Sequence, residues 1–263
     1  TRKHISNNVF HLKGKGGIKG ALRIVSKNML NFNYVLKTDI ASYYASINHH
    51  ILLQKLINLK IPDAIVDLVK QHLKRSVTYK GAYLSSKVRG IAKGSPLSIV
   101  LGTIYLTDLD KAFDNRHVFY VRYMDDILIL TNNRYALHRA IKKVYSVINS
   151  LNLTLAKNKT FIGKTTKEFT FLGFRLCRLK KTIAPADTTI NNSAKKLLAL
   201  FKKGADNKRI SSYLKHFLAW CQSGFKRRPA HIEIIKQLIF SFFSIRFSNT
   251  NRHLFLRGDD FVT

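Results

Sequence analysis

Acidic residues are scarce in this chain: fourteen Asp and Glu stand against forty-six Lys and Arg in 263 residues, a formal charge of +32. A small domain needs a net charge of only about 2 to 8 for solubility. An excess this large repels itself unless a polyanion neutralises it, so nucleic acid is the first candidate partner and an anionic membrane the second. The membrane reading lacks an architecture. The longest apolar runs, such as residues 127–130 and 238–243, fall well short of a spanning helix, and no signal-peptide pattern is present. No membrane partner is expected. Cysteine is scarce as well: Cys177 and Cys221 give neither a disulfide framework nor a metal-ligand spacing, and none of the ten His sits in a Cys/His cluster suited to zinc. A reducing, cytoplasmic setting is the simplest expectation. Internal repeats and low-complexity linkers are also missing. The chain opens at Thr1 in polar, basic sequence, and we expect it to be a fragment of something longer.

What is present is a globular composition, 46% hydrophobic, in which strand and helix patterns alternate. Residues 34–38 form a short β-prone run ending at Asp39. Apolar residues at three- and four-residue spacing predict helices over 48–60 and 62–75, with Pro62 in the first turn of the second. Residues 77–88 predict a β-ribbon interrupted by Gly81, and a glycine-rich turn at 90–94 precedes a helix over 96–113. Two β runs, 118–123 and 127–131, flank Met124, Asp125 and Asp126, which is a hairpin with acids at its tip. A helix over 134–150 follows, then short strands at 153–155, 160–162 and 169–176. Three basic helices are expected from residue 188 onward. The shift near residue 185 marks a boundary between an α+β part and an α part.

With so few carboxylates, each placement carries weight. Asp125 and Asp126 lie inside apolar β-sequence, where adjacent buried charges repel and are costly. A polar turn is one explanation, since Asp favours turns. Asp39 closes its own β run, and a helix N-cap would explain it. One shared explanation covers both: two neighbouring strands offer acids to a pair of divalent cations, which take oxygen ligands and keep waters for phosphate oxygens.

The blocks Tyr34-Val35-Leu36-Lys37-Thr38-Asp39-Ile40-Ala41-Ser42-Tyr43-Tyr44, Gly90-Ile91-Ala92-Lys93-Gly94-Ser95-Pro96-Leu97-Ser98, Tyr123-Met124-Asp125-Asp126, Lys159-Thr160 and Phe171-Leu172-Gly173-Phe174 occur in that order. Together they resemble the reverse transcriptases, especially prokaryotic enzymes related to group II introns and other retroelements. The resemblance implies an α+β right-hand polymerase: partial fingers and palm, an antiparallel sheet plus helices, over residues 1–185, and a helical thumb and tail over 186–263. It implies RNA-directed DNA synthesis on an RNA template, from a DNA primer or RNA–DNA hybrid, using deoxynucleotides and two Mg2+ ions (Mn2+ as a substitute). Asp39, Asp125 and Asp126 would be catalytic and, with the Ile40 carbonyl, would hold the metals. Ser42, Tyr43, Tyr44, Lys93, Gly94 and Lys159 would line the nucleotide site, with Tyr44 as a sugar gate. Tyr123, Met124, Ser98, Leu172 and Gly173 would touch primer or template. A retroelement or an antiviral defence system would be the setting.

Departures from the family pattern stand beside the match. Lys93 and Ile99 replace the usual residues, and the first fingers block has no counterpart; Lys13, Lys15, Lys19 and Arg23 would have to supply its charge. The glycines at 14, 16, 17 and 20 miss the phosphate-loop spacing. Basic pairs at 195–196, 202–203 and 208–209, with the triplet at 226–228, predict a duplex-tracking face, a solvated face being the alternative. Residues 232–247 would close the thumb or bind a protein partner. Three other readings stay open: an RNA-binding maturase or assembly factor with little synthesis, a generic basic RNA-binding protein, and an RNA-templated RNA polymerase, which Tyr44 disfavours.

Overall fold

The computed structural model describes residues 5–74, 77–79, 82–84, 88–114, 117–179 and 182–221, with two compact units: residues 1–172 with 177–180, and residues 173–176 with 181–263. The expected β-ribbon interruption at Gly81, the basic triplet at 226–228 and the apolar tail at 232–247 lie outside the described residues.

The first unit opens with α1 (Gly17–Met29), β1 (Tyr34–Thr38), the single turn α2 (Tyr43–Ser46), α3 (His49–Asn58) and α4 (Asp63–Leu73). Asn48 caps α3 by accepting the N–H of Ile51, as an N-cap Asn should. Pro62 stands one residue ahead of α4 rather than in its first turn, because its ψ of 138° is extended. Two short strands, β2 (Val77–Tyr79) and β3 (Ala82–Leu84), pair antiparallel.

The helix expected over 96–113 is two helices, α5 (Pro96–Tyr105) and α6 (Thr107–Ala112). At the break, the Thr107 hydroxyl donates to the Ile104 carbonyl at 2.8 Å, a local bond that competes with helix continuation. Next come β4 (Phe119–Tyr123), β5 (Asp126–Thr131), α7 (Arg134–Ser150), a 3-10 turn (Lys157–Lys159), β6 (Phe161–Lys164) and β7 (Phe169–Phe171). The strand expected at 153–155 reduces to a single bridge, Leu155 to Ile40. In the second unit lie β8 (Phe174–Cys177, its last residue in the first unit), β9 (Thr182–Pro185), α8 (Asp187–Lys202) and α9 (Asn207–Cys221). Of the three basic helices expected there, two fall in described residues.

The central sheet has the order β4-β5-β1-β6. Strand β5 is buried on both sides, which is why its sequence is continuously apolar instead of alternating. Ile127 and Ile129 join a core built with Leu101, Ile104, Leu137, Val144 and Ile148 of α5 and α7. Leu128 and Leu130 are buried on the other face, the one on which α1 packs against β4. Each such side chain contributes about 1.5–3 kcal/mol relative to exposure.

Among the described residues of this unit, one charge has no access to solvent. Arg122 of β4 is 0% exposed and forks onto Asp110 of α6: Nε donates to Oδ1 at 2.7 Å and Nη2 to Oδ2 at 2.5 Å. The Tyr120 hydroxyl donates to the same Oδ1 at 2.7 Å. Removing one partner of such a pair leaves an uncompensated charge and costs about 3–5 kcal/mol. Asp110→Ala should therefore destabilise the chain by that amount in urea unfolding, and Asp110→Leu combined with Arg122→Met should lose distinctly less.

Candidate active site

The register of β1 on β5 brings the acids together. Thr38 pairs with Ile127 and Leu36 with Ile129, so one step further along this antiparallel pair Asp39 faces Asp126. On the other side of β5, Tyr123 pairs with Asp126, which leaves Met124 and Asp125 as the two-residue turn of the β4–β5 hairpin. All three aspartates thus lie at one end of two adjacent strands. Asp39 is not a helix cap; Ser42, at φ 47°, precedes α2. Instead, residues 39–41 continue β1 along residues 154–156: Ala156 N–H donates to the Asp39 carbonyl and Ala41 N–H to the Thr154 carbonyl, both at 2.8 Å. This pattern makes Ile40 and Leu155 a non-hydrogen-bonded pair, which turns the Ile40 carbonyl towards the β5 side.

The electrostatics agree with this convergence. Burial raises the Asp125 carboxyl above its ordinary pKa, and the charges of Asp39 and Asp126 push it the same way. Asp126 is also raised, mainly by burial and by Asp39, against the opposing pull of Lys37. Two lysines offset the repulsion. Lys159 Nζ lies 3.0 Å from Asp39 Oδ2, which raises the ammonium pKa. Lys37 Nζ lies 3.4 Å from Asp126. Among the described residues, no three His, Cys, Asp or Glu side chains form a ready-made metal-ligand set; Asp39 and Asp126 are instead each turned to a lysine.

The turn that presents Asp125 is strained and held. Met124 is left-handed at φ 57°, a conformation that costs a non-glycine residue about 1–2 kcal/mol. Each of its polar handles is gripped. The N–H donates to His11 Nδ1 at 3.0 Å, the carbonyl accepts from Arg122 Nη1 at 3.0 Å, and the sulfur accepts from the Tyr44 hydroxyl at 3.1 Å. His11 Nε2 meets the Thr103 hydroxyl at 2.7 Å, and that hydroxyl donates to the Ile99 carbonyl. The imidazole is thus neutral, with its proton on Nε2. Burial and the nearby Arg122 lower its pKa to about 4. His11, Arg122, Asp110 and Lys37 were not among the sequence candidates. The available signal was Arg122 itself, which shares the inward alternation of Tyr120 on a buried strand.

The other candidates are dispersed. Tyr44 is half-buried beside the turn, its ring 5.5 Å from that of Tyr43. Tyr43 is itself a core residue, 3% exposed, whose hydroxyl donates to the Gly102 carbonyl; its side chain secures α5 and does not face the acids' open side. Ser98 is likewise inside, 1% exposed, with its hydroxyl unpartnered among the described residues. Both faced inward because the helices that carry them are buried there. Lys93 and Gly94 lie exposed in the turn before α5, with Gly94 at φ 86°. Tyr123 packs edge-on against His11. Leu172 is left-handed at φ 50°. In the second unit Gly173, at φ 80°, is hemmed in: a Cβ there would meet Trp220 at 3.0 Å and the Thr189 hydroxyl at 3.1 Å.

An antiparallel sheet backed by helices, with acids at one end of its central strands, is the α+β fold of the right-hand polymerases. The model of the reverse transcriptase (RNA-dependent DNA polymerase) family matches residues 3–176, and the chain belongs to that family. Among solved structures it is similar to telomerase from Candida albicans in complex with a TWJ fragment of telomeric RNA (TM-score 0.57, 13% identity, 95% of this chain and 54% of that one). It is similar also to apo telomerase from Candida tropicalis (TM-score 0.58, 15% identity, 94% and 47%). The chain spans about half the length of these telomerases. No curated protein matches it in sequence.

Two outcomes follow from the site. A carboxyl whose folded pKa is raised above 3.8 favours the neutral form in the fold, so stability is lost as pH rises through that range. Asp125→Asn should melt higher than the parent at neutral pH without divalent ions, and the gap should close below about pH 4, the unperturbed carboxyl range. For His11, whose pKa sits near 4, nitrogen-detected NMR should show the neutral, Nε2-protonated ring through pH 5, whereas an exposed histidine would already be charged.

Proposed function

We propose that the chain is the catalytic part of an RNA-directed DNA polymerase that adds deoxynucleotides to a primer 3′ end on an RNA template. The observation that carries this reading is the placement of Asp39 across from Asp126, with Asp125 presented by a locked turn. Hard carboxylate oxygens at partly buried positions, those of Asp125 and Asp126 raised in pKa by burial and by neighbouring acids, are the donor chemistry that divalent magnesium or manganese takes. Asp39, Asp125 and the Ile40 carbonyl would hold two such ions, with Asp126 completing the set; bound there, they supply activation of the attacking hydroxyl and charge stabilisation for departing pyrophosphate.

The chain's own groups do the rest. Lys159 and Lys37 hold the acids in place and, once released, offer cationic contacts to phosphate oxygens. Tyr44, tied to Met124, presents a ring beside the acids that leaves no room for a 2′-hydroxyl. Lys93 and Gly94 lie where backbone and charge could approach an incoming nucleotide. Residues 1–185 would then act as partial fingers and palm, and residues 186–263 as thumb. The exposed lysines at 195, 196, 202, 203 and 208 would follow the duplex through its phosphates. The matching telomerases include one in complex with telomeric RNA, which supports an RNA partner. The ordered blocks favour a prokaryotic retroelement or defence enzyme of the group II intron type, working in the cytoplasm. Among the described residues no helix is long and apolar enough to cross a membrane. A protein partner would take the C-terminal tail.

A second reading has its own support. Both Asp39 and Asp126 are paired with lysines, as would suit an RNA-binding, maturase-like protein of polymerase fold with little synthesis. One experiment separates them. On an RNA template with a DNA primer, the full chain should extend only with magnesium or manganese, and Asp125→Ala should reduce the rate at least about a thousandfold, about 4 kcal/mol of barrier. Extension by neither protein, with RNA affinity indifferent to metal and to Asp125→Ala, would establish the binding reading.

A further inference from the structure

The acids occupy one end of β1 and β5; the opposite end of the same strands carries ionisable groups of the other sign. There Tyr34 pairs with both Thr131 and Lys164, so β1 begins where β5 and β6 stop. Two adjoining hollows open at this end and share Asn132 and Asn133. One, of about 820 Å3, lies between the end of α6 and the first turns of α7; the other, of about 400 Å3, lies beside β6. Their cationic lining is Arg134, Arg139, Lys142, Lys143, Lys164 and Arg178, and among the described residues neither hollow is lined by an Asp or Glu. The whole of α7, seventeen residues, carries no acid.

Three further features mark this face as more than a solvated helix. A surface built for solubility mixes both signs, and this one does not. Tyr135 is 72% exposed with the Arg139 guanidinium 5.8 Å over its ring, an aromatic platform of the kind on which bases stack. The N-terminus of α7, the positive end of its dipole, opens onto the same hollows, Asn133 capping it through the Ala136 N–H. Arg134 lines one hollow, and from Tyr135 to Lys143 the face that also holds Arg139 and Lys142 runs about 12 Å along the helix, too long for a single small anion. It suits a strand whose phosphates recur about every 3.4 Å along a helical axis.

We propose that this face of α7, with the neighbouring end of β6, is a second nucleic-acid surface that grips phosphodiester backbone apart from the acids. Strand β5 separates the two sites by about 17 Å, five residues at about 3.3 Å each. A strand occupying both would have to reach well past the reacting end. The flank of a template, or a hairpin beyond it, has that reach. The surface does not depend on the polymerase reading, because a pure RNA-binding protein would use it equally.

The test uses the full chain carrying Arg139→Gln, Lys142→Gln and Lys143→Gln together, with Tyr135→Ala separately. Binding of a labelled RNA hairpin and a labelled DNA hairpin is followed across a salt series. The triple variant should lose at least tenfold in affinity for one or both, and its slope of log affinity against log salt should fall by about 2 to 3, three contacts at about 0.7–0.9 each. Tyr135→Ala should weaken binding with the salt slope unchanged. Melting temperatures show whether the variants fold, and Arg134→Gln with Lys164→Gln reads the same surface from other elements. Affinity and slope equal to the parent for both hairpins would overturn the proposal. So would intact hairpin binding with lost binding to phosphatidylserine vesicles, which would make the face a lipid surface. If the parent never extends a primer, the polymerase reading fails while the hairpin result still decides this one.

Discussion

Arg122 keeps a full charge where no water reaches it, and the carboxylate of Asp110 is what makes that arrangement tolerable. The cost of burying the two charges is met because the geometry is bidentate and Tyr120 donates to the second acceptor site of Asp110 Oδ1. The guanidinium has one further donor in use, Nη1, and it goes to the Met124 carbonyl. The pair therefore reaches beyond the core. It fixes the backbone of the turn that presents Asp125, at a residue whose left-handed conformation would otherwise relax. His11 secures the opposite side of the same peptide segment, and it can do so only as a neutral ring. The segment bearing His11 is itself laid along β4, with Phe10 N–H donating to the Arg122 carbonyl and Arg122 N–H to the Asn8 carbonyl. Core, N-terminal segment and hairpin are one mechanical unit.

That rigidity meets an opposing demand at the acids. Three carboxylates in a partly dry setting repel, and burial together with that repulsion raises the pKa of Asp125 and Asp126. A fold selected for stability alone would replace one of them. Lys159 and Lys37 offset part of the repulsion without removing it, since the carboxyls of Asp125 and Asp126 stay raised despite their pull. A site with surplus negative charge inside a chain of +32 is poised to take up cations, and the surrounding positive charge is poised to take up phosphate. Under the proposed function, that imbalance would supply the charge that phosphoryl transfer needs beside positioning.

Much of this was legible in the sequence. Acids are so rare in the chain that Asp39, Asp125 and Asp126 stood out, and the apolar runs around them fixed which strands carry them. The extent of α7 follows directly from its periodicity. What was not legible depends on contacts between distant residues. Nothing in the local sequence of His11 tells that it will meet Met124, 113 positions away. Asp110 reads as an ordinary polar position on a helix until Arg122 is placed beside it. The break between α5 and α6 rests on one threonine hydroxyl, too small a signal to interrupt an otherwise helical pattern. Tyr43 and Ser98 matched site blocks by type, but their helices rotate them into the core, and a block match carries no information about rotation.

The distribution of acids also explains the character of the surface. Of the fourteen, at least five sit against cations: Asp39, Asp108, Asp110, Asp126 and Asp187. Three of those five lie in the buried network or the candidate site, so they neutralise nothing on the outside. The basic residues of α7, α8 and α9 are left with few acidic neighbours to share a surface with. Exposed like charges repel over about 8–10 Å at ordinary salt, and seventeen acid-free residues of α7 concentrate that repulsion on one face. Asp63, Asp67, Asp108, Asp114, Glu168, Asp187 and Asp206 are exposed, too few to balance the basic exterior, so the scarcity of acids that makes the candidate site stand out also leaves a surface whose charge suits an external polyanion.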